Sequence, residues 1–436
     1  MPFPIRTYLP LAIIGIAGVL ALVVVLNRQP PASPAPPKPE PELASPPKAS
    51  LSVLAEPPAW EKLKHLSDTL TRSDFERLLT DVFTTSDAWK NFIQIDDQAA
   101  TIQTGAIDLE KEIRIDFAAE PASKTAARYW KETSELPPFP PGKPLAGLHI
   151  AIDPGHIGGK WAKMEERWFA IGDGKPVTEG DMTLFVANLL KTNLEILGAT
   201  VSLVRDQPEP VTTIRPDELM DIAENPADDQ SPAALQKLAE RLFYRTAEIR
   251  ARASIVNDFI KPDLVLCLHF NAEAWGDPNN PVLIDRTHFH LLLNGAYNTE
   301  EVALADQRFA MLHKIFQGIH REEAFVGSTV AATFAEISGL PAYQYSADST
   351  NVRSIDGNPF LWARNLLANR LYDCPVIYME PYVMNSTIDY ARIQEGDYDG
   401  LREIAGTMRP SIFREYADAL AEGLRRHYSS HRAVSE

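Results

Sequence analysis

Cysteine is almost missing from this sequence, with only Cys267 and Cys374 among 436 residues. That excludes a disulfide framework and a zinc site built on thiolates. Both lie in apolar runs, which predicts buried free thiols, with a disulfide between them as the alternative. Basic charge is also short: 42 Lys and Arg stand against 59 Asp and Glu, for a net charge of −17. Nucleic acid is therefore excluded as the main partner, and an anionic surface would not attract the chain at long range. Proline is plentiful instead, at 35 residues, and crowds near the N-terminus. Apolar residues make up 45% of the chain, enough for a sizeable core.

Leu9 to Leu26 is almost wholly apolar and uncharged, near the lower limit for spanning a bilayer. We read residues 1–28 as an uncleaved membrane anchor, with secretion after signal cleavage as the alternative. Arg6 and Arg28 give a weak charge bias, N-terminus inside. Residues 29–58 are rich in Pro, Ala, Ser, Lys and Glu, a semi-rigid spacer that buries no core. This arrangement implies a single-pass anchor with the folded part exported, in the cell envelope or periplasm.

Residues 59–142 become globular and read as a small α+β region. Ser73-Asp74-Phe75-Glu76 has the form of a capping box, and Phe92–Ile95 and Ile113–Phe117 read as strands. From 143 to 428 strands and helices alternate, predicting α/β architecture with a largely parallel sheet; 429–436 is a tail. The first strand, Leu148 to Ile152, stops at Asp153-Pro154-Gly155 and leaves His156 on a glycine-lined loop. Glu179 falls at or just before the first turn of a helix that Gly198 ends, and Ala199–Arg205 is the next strand. Helical spacing returns over Leu235–Phe259. Asp263–Leu268 reads as a buried strand with His269 just past its end, and Pro375–Glu380 as another that ends on a carboxylate. Further expectations are a strand over Asp285–Leu293, helices over Val302–His320, Pro359–Leu371 and 411–428, and irregular segments over 206–240 and 321–360.

Strand ends of such a sheet form the edge where ligands bind. Two imidazoles and a carboxylate, His156, His269 and Glu179, suit one catalytic Zn2+ with a fourth position left for water. Glu380 could take that water's proton and pass it to a leaving nitrogen. With ten histidines in the chain, spacing alone does not single out this set.

Ile152-Asp153-Pro154-Gly155-His156 with Gly158-Gly159, followed by Thr178-Glu179-Gly180-Asp181-Met182-Thr183-Leu184, resembles the zinc-dependent N-acetylmuramoyl-L-alanine amidases of bacterial cell walls. Val204-Arg205, the Arg252–Asn257 pair, Asp263–Asn271 and Pro375–Glu380 with Asn385 are similar to the motifs that follow in that family. The resemblance covers roughly 144–428. It implies a three-layer α/β/α sandwich around a mixed, mostly parallel sheet of about six strands. It also implies zinc on His156, Glu179 and His269, Glu380 as the catalytic group, and peptidoglycan as substrate. The reaction implied is hydrolysis of the amide between N-acetylmuramic acid and L-alanine.

Three features depart from the pattern. Glu179 follows His156 by 23 positions (179 − 156), a longer loop than is usual; Pro381-Tyr382 stands where Gly-Phe is expected; Cys267 and Phe270 flank the second histidine. Some family members carry an inserted helix that covers the zinc until a partner removes it. This raises the hypothesis of a self-inhibited state through 206–240 or 321–360, with a protein activator as partner.

Arg370 and Asn271 are the weaker candidates, for substrate binding, and a surface salt bridge is the alternative for Arg370. Asp153 could orient a ligand histidine or simply form its turn. His288 and His290 read as packed or exposed strand residues rather than a metal pair, and His427 and His431 as solvated surface. A zinc peptidase of similar fold and a silent wall-binding or regulatory protein are the competing functions.

Overall fold

Short continuous apolar runs build the sheet that positions everything else. The computed structural model describes residues 51–105, 112–121, 124–223 and 231–435. The proposed anchor over Leu9–Leu26 lies outside them, as does most of the spacer. No helix among the described residues is long and apolar enough to cross a membrane.

After a four-residue helical turn at Glu61–Lys64 come helix α1 (Arg72–Leu78) and an antiparallel sheet of β1 (Ile93–Ile95), β2 (Ala99–Gln103) and β3 (Glu112–Asp116). The expected capping box at Ser73 does not form, and the helix is capped two residues earlier. Thr71 is the extended N-cap and its Oγ1 accepts from the Asp74 amide at 3.2 Å, so Ser73 is already helical.

Seven strands follow in the main sheet: β4 (His149–Pro154), β7 (Thr200–Leu203), β8 (Leu264–Leu268), β9 (Phe289–Leu293), β10 (Arg353–Ser354), β11 (Leu361–Ala363) and β12 (Val376–Pro381). The hairpin β5 (Trp168–Phe169) and β6 (Val177–Thr178) stands apart from it. Spatial order is β10-β11-β9-β12-β8-β4-β7. Strands β12, β8, β4 and β7 run parallel, while β9 and β11 run the other way. Strands β4, β8 and β12 are buried nearly throughout, as their continuous apolar runs require, while β7 at the sheet edge buries only Val201.

On one face lie α2 (Glu179–Ile196), α6 (Ile319–Ser338) and α9 (Ile412–His431). In α9, Ile412, Phe413, Tyr416, Leu420, Leu424 and Tyr428 form a helical stripe that is almost fully buried. Each such side chain contributes about 1.5–3 kcal/mol. A Cβ on Gly423 would meet Val330 Cα at 3.0 Å, so that glycine sets how closely α9 and α6 approach. The opposite face packs Ala151, Val265, Cys267, Leu292 and Tyr378 against α4 (Glu248–Ser254) and the short helix α7 (Leu367–Leu371). Helix, sheet and helix make a three-layer α/β/α sandwich. Both cysteines are buried and free.

Two expectations fail for identifiable reasons. The segment 321–360 is not irregular throughout. Helix α5 (Ala305–Gln317) ends at Gly318, in the left-handed region, and α6 restarts at Ile319 and runs to Ser338. Buried polar residues hid its period: Glu323 is fully buried, accepts from the Val376 amide at 3.0 Å and lies 3.9 Å from Lys314 Nζ. Nor is Pro359–Leu371 a single helix. Leu361–Ala363 is a strand paired between β9 and β10, and only Leu367–Leu371 is helical. The strand expected over Asp285–Leu293 is confined to its last five residues.

His427 is not on the surface. It is fully buried, with Nε2 3.0 Å from Thr133 Oγ1 and Nδ1 3.2 Å from Thr329 Oγ1. Burial lowers His427 and His320 to about 4 and His290 to about 3. An unfolded histidine takes its proton near pH 6.5, so the unfolded chain binds more protons below that value. Stability contributed by the neutral rings is therefore present above pH 6.5 and lost as pH falls towards 4. Glu323, raised to about 7 by burial, and Glu380, raised to about 8, act in the opposite sense over part of that window, so the buried carboxyls offset most of what the buried imidazoles lose between pH 7 and 5.

Candidate active site

The carboxyl edge of the parallel strands gathers the predicted groups. At the end of β4, His156 adopts φ +61°, a left-handed conformation costing about 1–2 kcal/mol in a non-glycine residue. Arg252 holds the turn: Nη2 donates to the His156 carbonyl and Nη1 to that of Pro154, both at 2.7 Å. Its guanidinium is bonded in turn to Asp153 Oδ1 at 2.9 Å and Glu248 Oε1 at 2.8 Å, and Tyr372 donates its hydroxyl to Asp153 Oδ2. Asp153 therefore works through the arginine that braces the turn, not through the imidazole. Asn257, five residues on, ties α7 and β12 to the same helical segment by accepting from the Asp373 amide and donating to the Leu371 carbonyl.

Glu179 is the first residue of α2, where the positive helix end favours a carboxylate. A Cβ on Gly180 would come within 2.3 Å of the Gly158 amide nitrogen, so only glycine lets this helix start abut the His156 loop. His269 leaves β8 with its amide donating to the Met379 carbonyl, and its ring stacks on Tyr378 with centroids 4.6 Å apart.

These elements bring three donors together. Glu179 Oε2 lies 3.2 Å from His156 Nε2, and Glu179 Oε1 lies 3.1 Å from His269 Nδ1. The Phe270 amide donates to Oε1 at 3.1 Å and fixes the carboxylate. One ligand atom from each of His156, Glu179 and His269 falls within 4.8 Å of the others. Tetrahedral donors about 2.1 Å from a zinc ion stand about 3.4 Å apart, so the set needs little movement to hold one. Electrostatics agree. Against the opposing effect of burial, the Glu179 and Glu165 carboxylates push His156 up to about 9, and His156 holds Glu179 well below the usual carboxylate range. The nest of carboxylates is short of positive charge.

Glu380 sits in β12, beside this cluster but outside the ligand set. Burial, and then the Glu179 charge, raise it to about 8. All four groups line one open cavity of about 740 Å3. Asn271 lines it as well, with its Oδ1 turned to the Ala272 amide at 2.7 Å. Arg370 does not line it. That side chain is buried behind the rim, with Nη1 bonded to Gln307 Oε1 and Asn365 Oδ1; the arginine that faces the cavity from this side is Arg364. His288 and His290 are packed strand residues against Tyr343.

The sequence reading did not find Arg167. Its Nε stands 3.3 Å from both His156 Nε2 and Glu179 Oε2, a cation already drawn to the cluster. It also did not find Glu165, buried behind His156. Both belong to the long loop between His156 and Glu179, and that excess length was the available signal. None of the described residues of 206–240 or 321–360 lines the cavity. Leu219, Ala223 and Ala239 instead pack with Ile157 beside the loop.

Gly155 is as tightly placed as Gly180, but against a ligand ring. A Cβ there would stand 2.3 Å from His269 Cε1. Gly155→Ala should displace that ring, costing about 1–3 kcal/mol and most of the metal affinity. Thermal melting and zinc titration of the variant check this, and near-native zinc affinity would show the ring is freer than the geometry says.

No family model matches the chain, and no curated relative matches it. Among solved structures it is similar to the N-acetylmuramyl-L-alanine amidase Ami1 from Mycobacterium smegmatis, at 16% identity and a TM-score of 0.37, over 66% of this chain and 99% of that one. It is similar also to the N-acetylmuramoyl-L-alanine amidase AmiC2 of Nostoc punctiforme (17% identity, TM-score 0.32, 65% and 99% of the two chains). A third is the CwlD amidase from Clostridioides difficile, solved in complex with the GerS lipoprotein (14%, 0.36, 65% and 100%). At these values the functional reading rests on the motifs and the site's own geometry.

Proposed function

We propose that this chain is a zinc-dependent N-acetylmuramoyl-L-alanine amidase that strips stem peptides from the glycan strands of peptidoglycan. The observation that supports it most is the convergence of His156, Glu179 and His269 within 4.8 Å in a cavity that Glu380 shares. Each of the four stands in a motif that resembles the family's. A zinc ion held by the first three would polarise the scissile carbonyl and lower the pKa of a water.

Glu380 then handles the protons, taking one from the attacking water and delivering it to the leaving nitrogen of L-alanine. Part of its raised pKa comes from the Glu179 charge, so neutralising that charge brings the carboxyl down towards the working range of a general base. Arg364 and Arg167 put positive charge on the cavity wall, suited to the carboxylates of a stem peptide, and Asn271 offers a polar contact on the rim.

Peptidoglycan is anionic, and a chain of charge −17 gains nothing from long-range attraction to it. Tethering through Leu9–Leu26 and the proline-rich spacer would supply local concentration at the envelope instead. A protein activator enters this reading only if some segment covers the cavity, and none of the described residues of the two candidate segments does.

A defined N-acetylmuramoyl-L-alanyl peptide tests the reaction. Release of a peptide with a free L-alanine amine is the expected result. Shortening of the peptide while muramic acid stays attached would favour the zinc peptidase, and zinc binding with no product would favour the silent protein.

A further inference from the structure

The ring of His156 lies between two carboxylates. Its Nε2 edge faces Glu179 Oε2 at 3.2 Å, and Arg167 Nε approaches the same edge at 3.3 Å. Its Nδ1 edge faces Glu165 Oε1 at 3.7 Å, an ion-pair separation slightly longer than a hydrogen bond. Glu165 is 1% exposed, a degree of burial that an acidic side chain tolerates only when its oxygens are satisfied. They are: the Ile157 amide donates to both oxygens at 2.9 Å and the Gly158 amide to Oε2 at 3.1 Å. These amides follow His156 directly, so one carboxylate grips the backbone of the ligand loop and faces the ligand ring.

We propose that Glu165 is the positioning residue of the metal site, holding His156 with its proton on Nδ1 and its Nε2 lone pair turned to the metal. The inference rests on the metal-site reading above and goes beyond it, since neither the motifs nor the ligand set includes Glu165. A metal-bound histidine needs its second nitrogen fixed, and a carboxylate behind the ring both selects the tautomer and raises the basicity of the ligating nitrogen. Asp153, the nearer acid in sequence, is occupied by Arg252 and Tyr372 and cannot do this.

The long loop acquires a purpose from this assignment. A single turn at Gly159–Trp161 reverses the chain and brings Glu165 back beneath His156, while Arg167, two residues on, reaches the ring's other edge. A shorter connection would have no residue at that place.

The full chain, with zinc titrated against a chromophoric chelator, provides the test. Glu165→Gln should weaken zinc binding 10- to 100-fold, with a modest fall in melting temperature because glutamine keeps only one oxygen to accept from the Ile157 and Gly158 amides. Glu166→Gln is the control. That neighbour, on the cavity rim and 40% exposed, pairs with Lys237, Arg241 and Arg245 at 3.5–3.6 Å and touches no ligand residue, so its change should leave zinc affinity within about twofold.

A second readout does not depend on the variant folding. In the zinc-loaded wild type, nitrogen-correlated NMR should show a low-field His156 Nδ1–H protected from water, and Glu165→Gln should move or lose it. Unchanged zinc affinity in Glu165→Gln, or a solvent-exchanging His156 Nδ1–H in the wild type, would overturn the proposal. A wild type that takes up no zinc would overturn the metal reading and this role together. Weakened zinc binding in Glu165→Gln by a chain that releases no L-alanyl peptide would sink the amidase reading and leave Glu165 where we place it.

Discussion

Glu380→Gln should lower turnover by about 10²- to 10⁴-fold, the usual worth of a positioned general acid–base, while zinc stoichiometry stays near one. The separation of the two effects follows from where the residue sits. Glu380 lies on β12, outside the group of three donors, so its amide replacement removes a proton carrier and no ligand. Folding should be little affected. With its carboxyl raised to about 8, Glu380 carries its proton at neutral pH in the metal-free protein, and glutamine has the same shape and charge. Metal analysis, melting temperature and turnover of the purified variant check the three statements. Loss of zinc from Glu380→Gln would mean that the carboxylate is a ligand and that the division of roles is wrong.

His156→Ala should remove metal and activity together. It deletes one of the three proposed donors found among the described residues, and losing a ligand should exceed the 10- to 100-fold cost of losing its support, so zinc should dissociate under ordinary purification. The change also relieves the Glu179 carboxylate of its partner at 3.2 Å and leaves a buried negative charge less compensated. A modest fall in metal-free stability is therefore expected alongside the loss of zinc. Full zinc occupancy in this variant would take His156 out of the ligand set, and activity without metal would remove the need for one.

Much of the site could be read from residue order. His156, His269 and Glu380 each end or follow an apolar run that folds as a parallel strand, and the sheet edge brings such positions together by its topology. Glu179 was readable because a helix with a clear apolar stripe begins on it. What stayed hidden is what depends on non-local pairing or on aperiodic chain. Glu165 and Arg167 lie in a loop without period, and only folding shows that the loop returns to His156. Arg370 has the right spacing from β12, yet its guanidinium is captured by Gln307 and Asn365 before it can reach the cavity. Helix α6 was masked by the buried carboxylate of Glu323, and β11 by a three-residue run that became a strand only because β9 offered it an edge.

The fold repeats the same lesson at larger scale. Seven strands form the sheet, in keeping with the expected number of about six; β10 and β11 are the two that the sequence does not mark as strands, and β10 is only two residues long. A strand that short has no sequence signature of its own, and it exists through its antiparallel pairing with β11.

The central claim is that this cavity cuts the bond between the glycan and its stem peptide. Digestion of purified sacculi by the zinc-loaded protein, with the soluble products weighed by mass spectrometry, tests it most directly. The account predicts intact stem peptides beginning with a free L-alanine, and glycan strands bearing unsubstituted muramic acid. Shortened peptides still joined to muramic acid, or peptide release undiminished in Glu380→Gln, would contradict it.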